Sequence, residues 1–525
     1  MSNKRRVRQH RDTRAGVRPG SPFAPDDDVI ERIDGASARF VARGYQPRSG
    51  STEPLPLSNN QFLGAVVSSD LFWDTVDFYK SLLDPNSGCG RPRKHSVIGM
   101  VLAEYAGWTY KSVRAAFREF DDPDQWENLR RAAIKSHPTN KQRRLPEFPP
   151  SRAAYLNFRK KYVESNDVIE QIRQVQREFA LRVARHIGLF DIFKGSFSHP
   201  AKENVVYGDA TFIQAMFNEL TPANHIDYET GEIIIRRRDP DAVAWHQDGG
   251  TNGRAWVSVS ARTQFTNERV ILDLQPKPVR KTSDATVFTN MVSELVPRLP
   301  AIQATSYDMA FTARHADTIL SLGVIPLTKI AHIQGGITAS RHLGPQPFDF
   351  PDGTKDFIPV DAIGGAPFIY VTFEGEHIPI QLEMRKLDRE PNRRSGYRIY
   401  GRWRIPDRPE VPKRLRGAIG RIRHNSTDDE IAVSRRRTRA LRPIAPGTDQ
   451  FHRLFGLRED SESMHNHLKS HLVNRRARTV GLQRQQLNMH AYQGMTAIKA
   501  LIAHSIRTGA SLDEFFGNWR PPDKT

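Results

Sequence analysis

The sequence predicts an α/β protein: a mixed β-sheet flanked by helices, preceded by an all-α region and interrupted by a β-rich insertion before the last helices. Runs rich in β-branched and aromatic residues begin abruptly near Glu203, after a long stretch of helical periodicity. Three strands in a row then give way to strands alternating with helices, the order of a mixed sheet with helices packed on it. A basic, strand-rich stretch separates that sheet from a closing set of helices.

At roughly 150 residues per domain, the 525 residues suggest about three domains. The chain carries 78 Lys+Arg against 59 Asp+Glu, a formal charge of +19 that suits a polyanion. Nucleic acid comes first among polyanions, and charge alone leaves a ribosomal or membrane surface open. Apolar runs such as Val270-Ile271-Leu272 are too short to span a bilayer. The opening Met1-Ser2-Asn3-Lys4-Arg5-Arg6 lacks the apolar stretch of a secretory signal, so a cytoplasmic, nucleoid-associated protein is expected. Cys89 is the single cysteine, which excludes an internal disulfide and a Cys-based zinc site.

Residues 1–58 read as a disordered basic arm (Lys4, Arg5, Arg6, Arg8, Arg11, Arg14), either a phosphate-tracking tail or a solubilising terminus. In residues 59–145, Val66, Leu71, Phe72, Val76 and Tyr79 recur at helical spacing, as do Val97, Met100, Val101 and Tyr105. Between them sits a helix-breaking joint carrying Arg91, Arg93 and Lys94. Short helices with basic joints fit a helix-turn-helix-like DNA-binding domain, and an ordinary helical bundle is the alternative. Residues 146–200 read as a helical connector. The sheet occupies 201–330, with strands at 205–213, 255–260, 269–274, 302–307 and 324–330 and helices at 284–298 and 313–322.

Residues 331–450 are the β-rich insertion, with strands at 368–373, 377–384 and 397–403. Basic tracts there include Arg393-Arg394, Lys413-Arg414-Leu415-Arg416 and Arg435-Arg436-Arg437, joined elsewhere by Arg236-Arg237-Arg238. Such tracts suit phosphates collectively, although any one of them alone reads as a solvated loop. Tyr400 and Trp403 either stack on a flipped base or pack within the insertion. Helices return over 451–508, and 509–525 is a tail.

Two acids interrupt strand-rich segments: Asp209 in Tyr207-Gly208-Asp209-Ala210-Thr211 and Asp308 in Ser306-Tyr307-Asp308-Met309-Ala310. Taken singly, each also reads as a turn or cap residue. Further on, Phe455, Arg458, Glu462 and Lys469 fall at offsets 0, 3, 7 and 14, which share one face of a helix. The alternative is a solvated charged stripe. Glu459 and Asp460 lie on other faces, and Asp273 and Asp317 lack the flanking pattern. His465, His467 and His471 have no matching acid or cysteine pattern and read as surface or DNA-facing.

In this order the motifs resemble the DDE transposases of bacterial insertion sequences, in particular the group with an aromatic-x2-Arg-x3-Glu-x6-Lys signature. Phe455, Arg458, Glu462 and Lys469 match that spacing, with Phe where the group has Tyr and so without its hydroxyl. Gly90-Arg91-Pro92, residues 151–159 and Arg475-Arg476-Ala477-Arg478 extend the resemblance. It implies a ribonuclease-H-like core, and an insertion before the last helix of the site. Asp209, Asp308 and Glu462 would hold two Mg²⁺ ions, or Mn²⁺ as a substitute, through hard oxygen ligands. Arg458 and Lys469 would hold phosphates beside the scissile bond. The implied activity is metal-dependent DNA strand cleavage and strand transfer on double-stranded DNA, at terminal inverted repeats and a target, by a homodimer in a synaptic complex. The other readings are a catalytically silent or domesticated DNA-binding protein, and a ribonuclease-H-like nuclease of recombination.

Overall fold

Hydroxyl and carboxylate caps punctuate the N-terminal half into helices. These are α1 (Asn59–Ser68), α2 (Asp70–Ser81), α3 (Val97–Thr109), α4 (Val113–Phe120), α5 (Pro123–Ser136), α6 (Arg152–Phe158) and α7 (Asn166–His186). Each is preceded by a residue whose side chain accepts a first-turn N–H: Ser58, Ser69, Ser96, Ser112, Asp122, Ser151 and Ser165 respectively. The computed structural model describes residues 57–83, 96–217, 224–226, 233–235, 239–245, 251–278, 282–308, 310–330, 340–393 and 396–521. Most of the basic arm, the joint with Arg91, Arg93 and Lys94, and the tract 236–238 lie outside the described residues.

The strands and helices of the central part follow in order: β1 (Val205–Gln214), β2 (Asn224–Ile226), β3 (Ile233–Ile235), β4 (Val243–Trp245), β5 (Thr251–Arg262), β6 (Arg269–Pro276), α8 (Asp284–Leu295), β7 (Ala304–Ser306), α9 (Ala313–Ser321) and β8 (Ile325–Leu327). Apart from the small β2–β3 hairpin, they form one mixed sheet in the order β4-β5-β1-β7-β8, with β6 also on β5. The β5–β6, β4–β5 and β1–β5 pairs are antiparallel, whereas β1–β7 and β7–β8 are parallel. The fold is therefore α/β with a mixed sheet.

Strand alternation gives this sheet two buried faces. Val206 points into the core shared with Phe288 and Met291 of α8. Val205 and Tyr207 point the other way, into a second cluster with Ile325 and Leu327. The first core is continuous from the N-terminal helices to the sheet: Val66, Phe72, Val101, Phe179 and Val257 belong to one buried cluster. Helix α7, expected as a connector, is thus a core element. Its Arg173 grips Asp273 of β6 through Nε at 2.9 Å and Nη2 at 2.5 Å, which makes Asp273 a structural acid.

The insertion contains β9 (Ser340–Asp349), β10 (Lys355–Ile363), β11 (Ala366–Phe373), β12 (Glu376–Gln381), β13 (Glu383–Asn392), β14 (Gly396–Arg404) and β15 (Ile419–Arg423). They form a seven-stranded antiparallel sheet, β12-β11-β10-β9-β15-β14-β13, with its own core around Phe348, Ile369 and Ile422. Trp403 is buried in that core, and Tyr400 lies under the Arg421 guanidinium at 3.8 Å, so packing accounts for both. The basic tracts are only partly available to phosphates. Arg437 is buried against Glu430, Arg436 pairs with Asp317, and Arg442 is buried against Thr328. A short helix α10 (Asp428–Ala432) follows, then α11 (Asp449–Phe455), α12 (Glu459–Ser470), α13 (Leu482–Thr508) and α14 (Asp513–Phe516). Helices α7 and α13 pack together against β6. No described helix is long and apolar enough to cross a membrane.

Candidate active site

Register brings two of the acids together. In the parallel β1–β7 pair Tyr207 lies opposite Ser306, so Asp209, still within β1, and Asp308, just past the end of β7, each stand two residues beyond the last paired position. Parallel neighbours are spaced about 4.8 Å apart. By alternation Asp209 shares the face of Val205 and Tyr207, the face covered by α11 and α12. Gly208 next to it is a steric requirement: a Cβ there would overlap the Ser258 carbonyl of β5 and the Phe288 ring.

Helix α12 and the turn before it supply the remaining groups. Arg458, in a 3-10 turn (Gly456–Arg458) between α11 and α12, donates from Nη2 to Asp209 Oδ2 at 3.1 Å. Burial pushes the Asp209 carboxyl up from its ordinary value and Arg458 opposes the rise. Asp308 and Glu462, both within electrostatic reach, add to it. The second Asp209 oxygen accepts from the Ala210 N–H at 2.8 Å, and Asp308 Oδ1 accepts from the Ala310 N–H at 2.9 Å. Glu462 is exposed one turn beyond Arg458. Lys469 is half-buried, and burial together with Arg475 lowers the pKa of its ammonium.

The stripe from Phe455 to Lys469 therefore crosses a helix junction; it is not one continuous α-helix. Phe455 heads it as a packing residue, stacked on Phe451 at 4.9 Å with Lys329 over its ring at 5.6 Å. Its carbonyl accepts from Ser306 Oγ at 3.4 Å, tying the junction to the end of β7.

Asp460 holds α12 in place, a role its position on another helical face concealed. Its carboxylate accepts from Arg269 Nε and Nη2, both at 2.5 Å, and from Tyr207 Oη at 2.5 Å, with Arg262 Nη1 at 3.3 Å. Cations closing one strand and opening the next, Arg262 and Arg269, were the available signal: charges at the margins of apolar strands need a buried counter-charge.

The histidines divide: α12 turns His465 inward, whereas His467 is exposed and His471, just past the end of the helix, is half-buried. His465 is buried, and burial, reinforced by Lys469, Arg269 and Arg458, pushes its pKa down to about 3. His467 Nδ1 meets Tyr492 Oη of α13 at 3.0 Å, and the His471 ring lies 4.4 Å from that of His467. Asp317, another competing acid, is occupied by Arg436 and the Ser426 N–H.

Carboxylate oxygens from Asp209, Asp308 and Glu462 are a donor set of the type that suits a hard divalent cation. Among the described residues, however, no three His, Cys, Asp or Glu side chains converge into a ligating cluster. At Asp209 the Arg458 guanidinium supplies the positive charge. An ion bound there would compete with Arg458 for Asp209 Oδ2. No protein-family model matches the chain, and no curated protein matches it.

Proposed function

We propose that this chain is a DNA transposase of the DDE type, cutting and joining strands at the ends of its element on a ribonuclease-H-like core. The observation that carries the reading is that Asp209 on β1 and Asp308, two residues past the end of the parallel neighbour β7, lie within electrostatic reach of each other and of Glu462 on α12, with Arg458 from the preceding 3-10 turn on Asp209. The strand order β6-β5-β1-β7-β8, antiparallel on one side of β1 and parallel on the other, supports the core assignment.

In this reading Asp209, Asp308 and Glu462 hold Mg²⁺ or Mn²⁺, which supplies charge stabilisation and a metal-activated nucleophile. Arg458 has two partners in turn, Asp209 without DNA and a phosphate with it, which its planar fork of donors suits. Lys469 binds phosphate as a point charge. The excess of 78 Lys+Arg over 59 Asp+Glu favours double-stranded DNA, both element ends and target, as partner, with a dimer bridging paired ends.

The test is metal-dependent nicking of DNA carrying the inverted repeats that flank the gene, comparing the wild type with Asp209→Ala. End-specific nicking lost in the variant is expected; wild-type binding without nicking would sink the transposase reading. The Arg458–Asp209 ion pair favours a second reading, a DNA-binding protein without catalysis, and that same negative result would support it.

A further inference from the structure

Behind α12, away from Glu462, lies a cavity of about 450 Å³ between α1, the β5–β6 turn, α12 and α13. Its cations are Lys499 and Arg269, and no carboxylate lines it among the described residues. Lys499 is half-buried with its ammonium 5.3 Å from the centre of the Phe62 ring, and it makes no salt bridge among the described residues. Burial alone lowers its pKa, with no acid contributing. Withdrawing an ammonium from water without a counter-charge is costly. A cation–π contact of this kind offsets only about 0.5–2 kcal/mol of such a cost. Lys499 therefore offers the cavity an ammonium without a carboxylate partner among the described residues, while Arg269 is shared with Asp460.

The remaining walls say what kind of anion suits it. His467, His471 and Tyr492 stand together, rings 4.4 to 6.5 Å apart, and add nitrogen and hydroxyl groups beside flat apolar surface. Phe62 supplies a further ring to the wall. The volume lies in the range of small-molecule sites and far exceeds what a bare phosphate fills. We infer that this cavity binds a phosphorylated small molecule of nucleotide size, its phosphate on Lys499 and Arg269 and its planar body against the aromatic and imidazole rings. This site is separate from the carboxylates and stands whether or not they cut DNA. Arg269 serves both places, since it also grips Asp460, so an occupant would stiffen the seating of α12.

The experiment uses the full chain, with pyrophosphate and AMP as probes and a blunt DNA duplex as a parallel arm. Isothermal titration should show saturable binding of at least one small probe, weakened tenfold or more in Lys499→Met. Because Lys499 makes no salt bridge among the described residues and Met keeps apolar contact with the Phe62 ring, Lys499→Met should melt close to the wild type. Lys499→Gln takes its place if the methionine variant does not fold. Absence of binding by both probes overturns the inference, as does equal binding by wild type and variant. Lys499-dependent binding of the duplex alone overturns it too, by assigning the site to nucleic acid.

Discussion

Replacing Asp460 by Asn tests whether one buried carboxylate seats the helix that carries Glu462 and follows Arg458. The side chain is 4% exposed, and its partners Arg262 and Arg269 are 7% and 12% exposed, so water replaces little of the lost charge. Asn keeps the shape and one hydrogen-bond acceptor but leaves two guanidiniums without this counter-charge. Breaking a buried pair from one side typically costs about 3–5 kcal/mol. We take roughly 3, because the Asn carbonyl still accepts from Tyr207 or Arg269; at about 1.4 kcal/mol per tenfold that is some hundredfold in the opening equilibrium of α12. Hydrogen exchange across residues 459–470 reads this directly, since local opening sets amide protection. Exchange should accelerate about a hundredfold there and change little in the insertion sheet. An acceleration below about threefold would refute Asp460 as the anchor.

Three other perturbations probe the same architecture. Arg458→Gln removes the group that opposes burial at Asp209, so the Asp209 titration midpoint followed by carbon-13 NMR should move further up. A protonated carboxylate binds divalent cations poorly, so the pH at which Mg²⁺ half-binds should rise with it; an unmoved midpoint contradicts the ion pair. Glu104 accepts from Tyr79 Oη at 3.0 and 2.9 Å, yet burial raises its pKa from 4.5 to about 7. The folded chain therefore holds a proton that the unfolded chain releases between pH 4.5 and 7, and wild-type stability falls as pH rises through that window. Glu104→Gln should remove the dependence and be more stable than wild type at pH 8 by about 3 kcal/mol in urea unfolding, with no gain at pH 4; an equal gain at both would contradict it. Gly208→Ala drives a Cβ into the Ser258 carbonyl and Phe288. It should cost about 1–3 kcal/mol and, on the proposed function, reduce nicking more than DNA binding, because Asp209 is the next residue. An unchanged melting temperature would mean that the strand and α8 are less closely packed than described.

What was legible in the sequence was whatever local pattern encodes. The apolar runs at 205–213 and 269–274 correspond closely to Val205–Gln214 and Arg269–Pro276, because buried strands need uninterrupted β-branched residues. Strands β9 and β10 escaped notice: Pro345, Pro347 and Pro359 interrupt them, and much of each lies exposed, so apolar alternation is weak. The run read as one strand at 377–384 breaks at Leu382 into β12 and β13. Asp209 and Asp308 were visible as acids in apolar surroundings. The stripe from Phe455 to Lys469 stays on one side across the 3-10 turn because three residues there complete a full turn and bring Arg458 back over Phe455.

Partnership over long separations was not legible. Asp460 meets Arg269 across 191 residues and Asp273 meets Arg173 across 100, and no periodicity says which cation a given acid will find. This changes how the charge of +19 is to be understood. A formal charge counts every arginine as though it faced water, whereas Arg173, Arg254, Arg262 and Arg437 are buried. Those side chains are spent on Asp273, Asp239, Asp460 and Glu430, so tracts such as 435–442 lose much of their reach towards phosphate. Yet each such pair withdraws acid along with base and leaves the excess untouched. The surplus must then reside mainly on cations outside the core, such as Arg385, Lys413 and Arg435 on the insertion, which is where a polyanion would meet them.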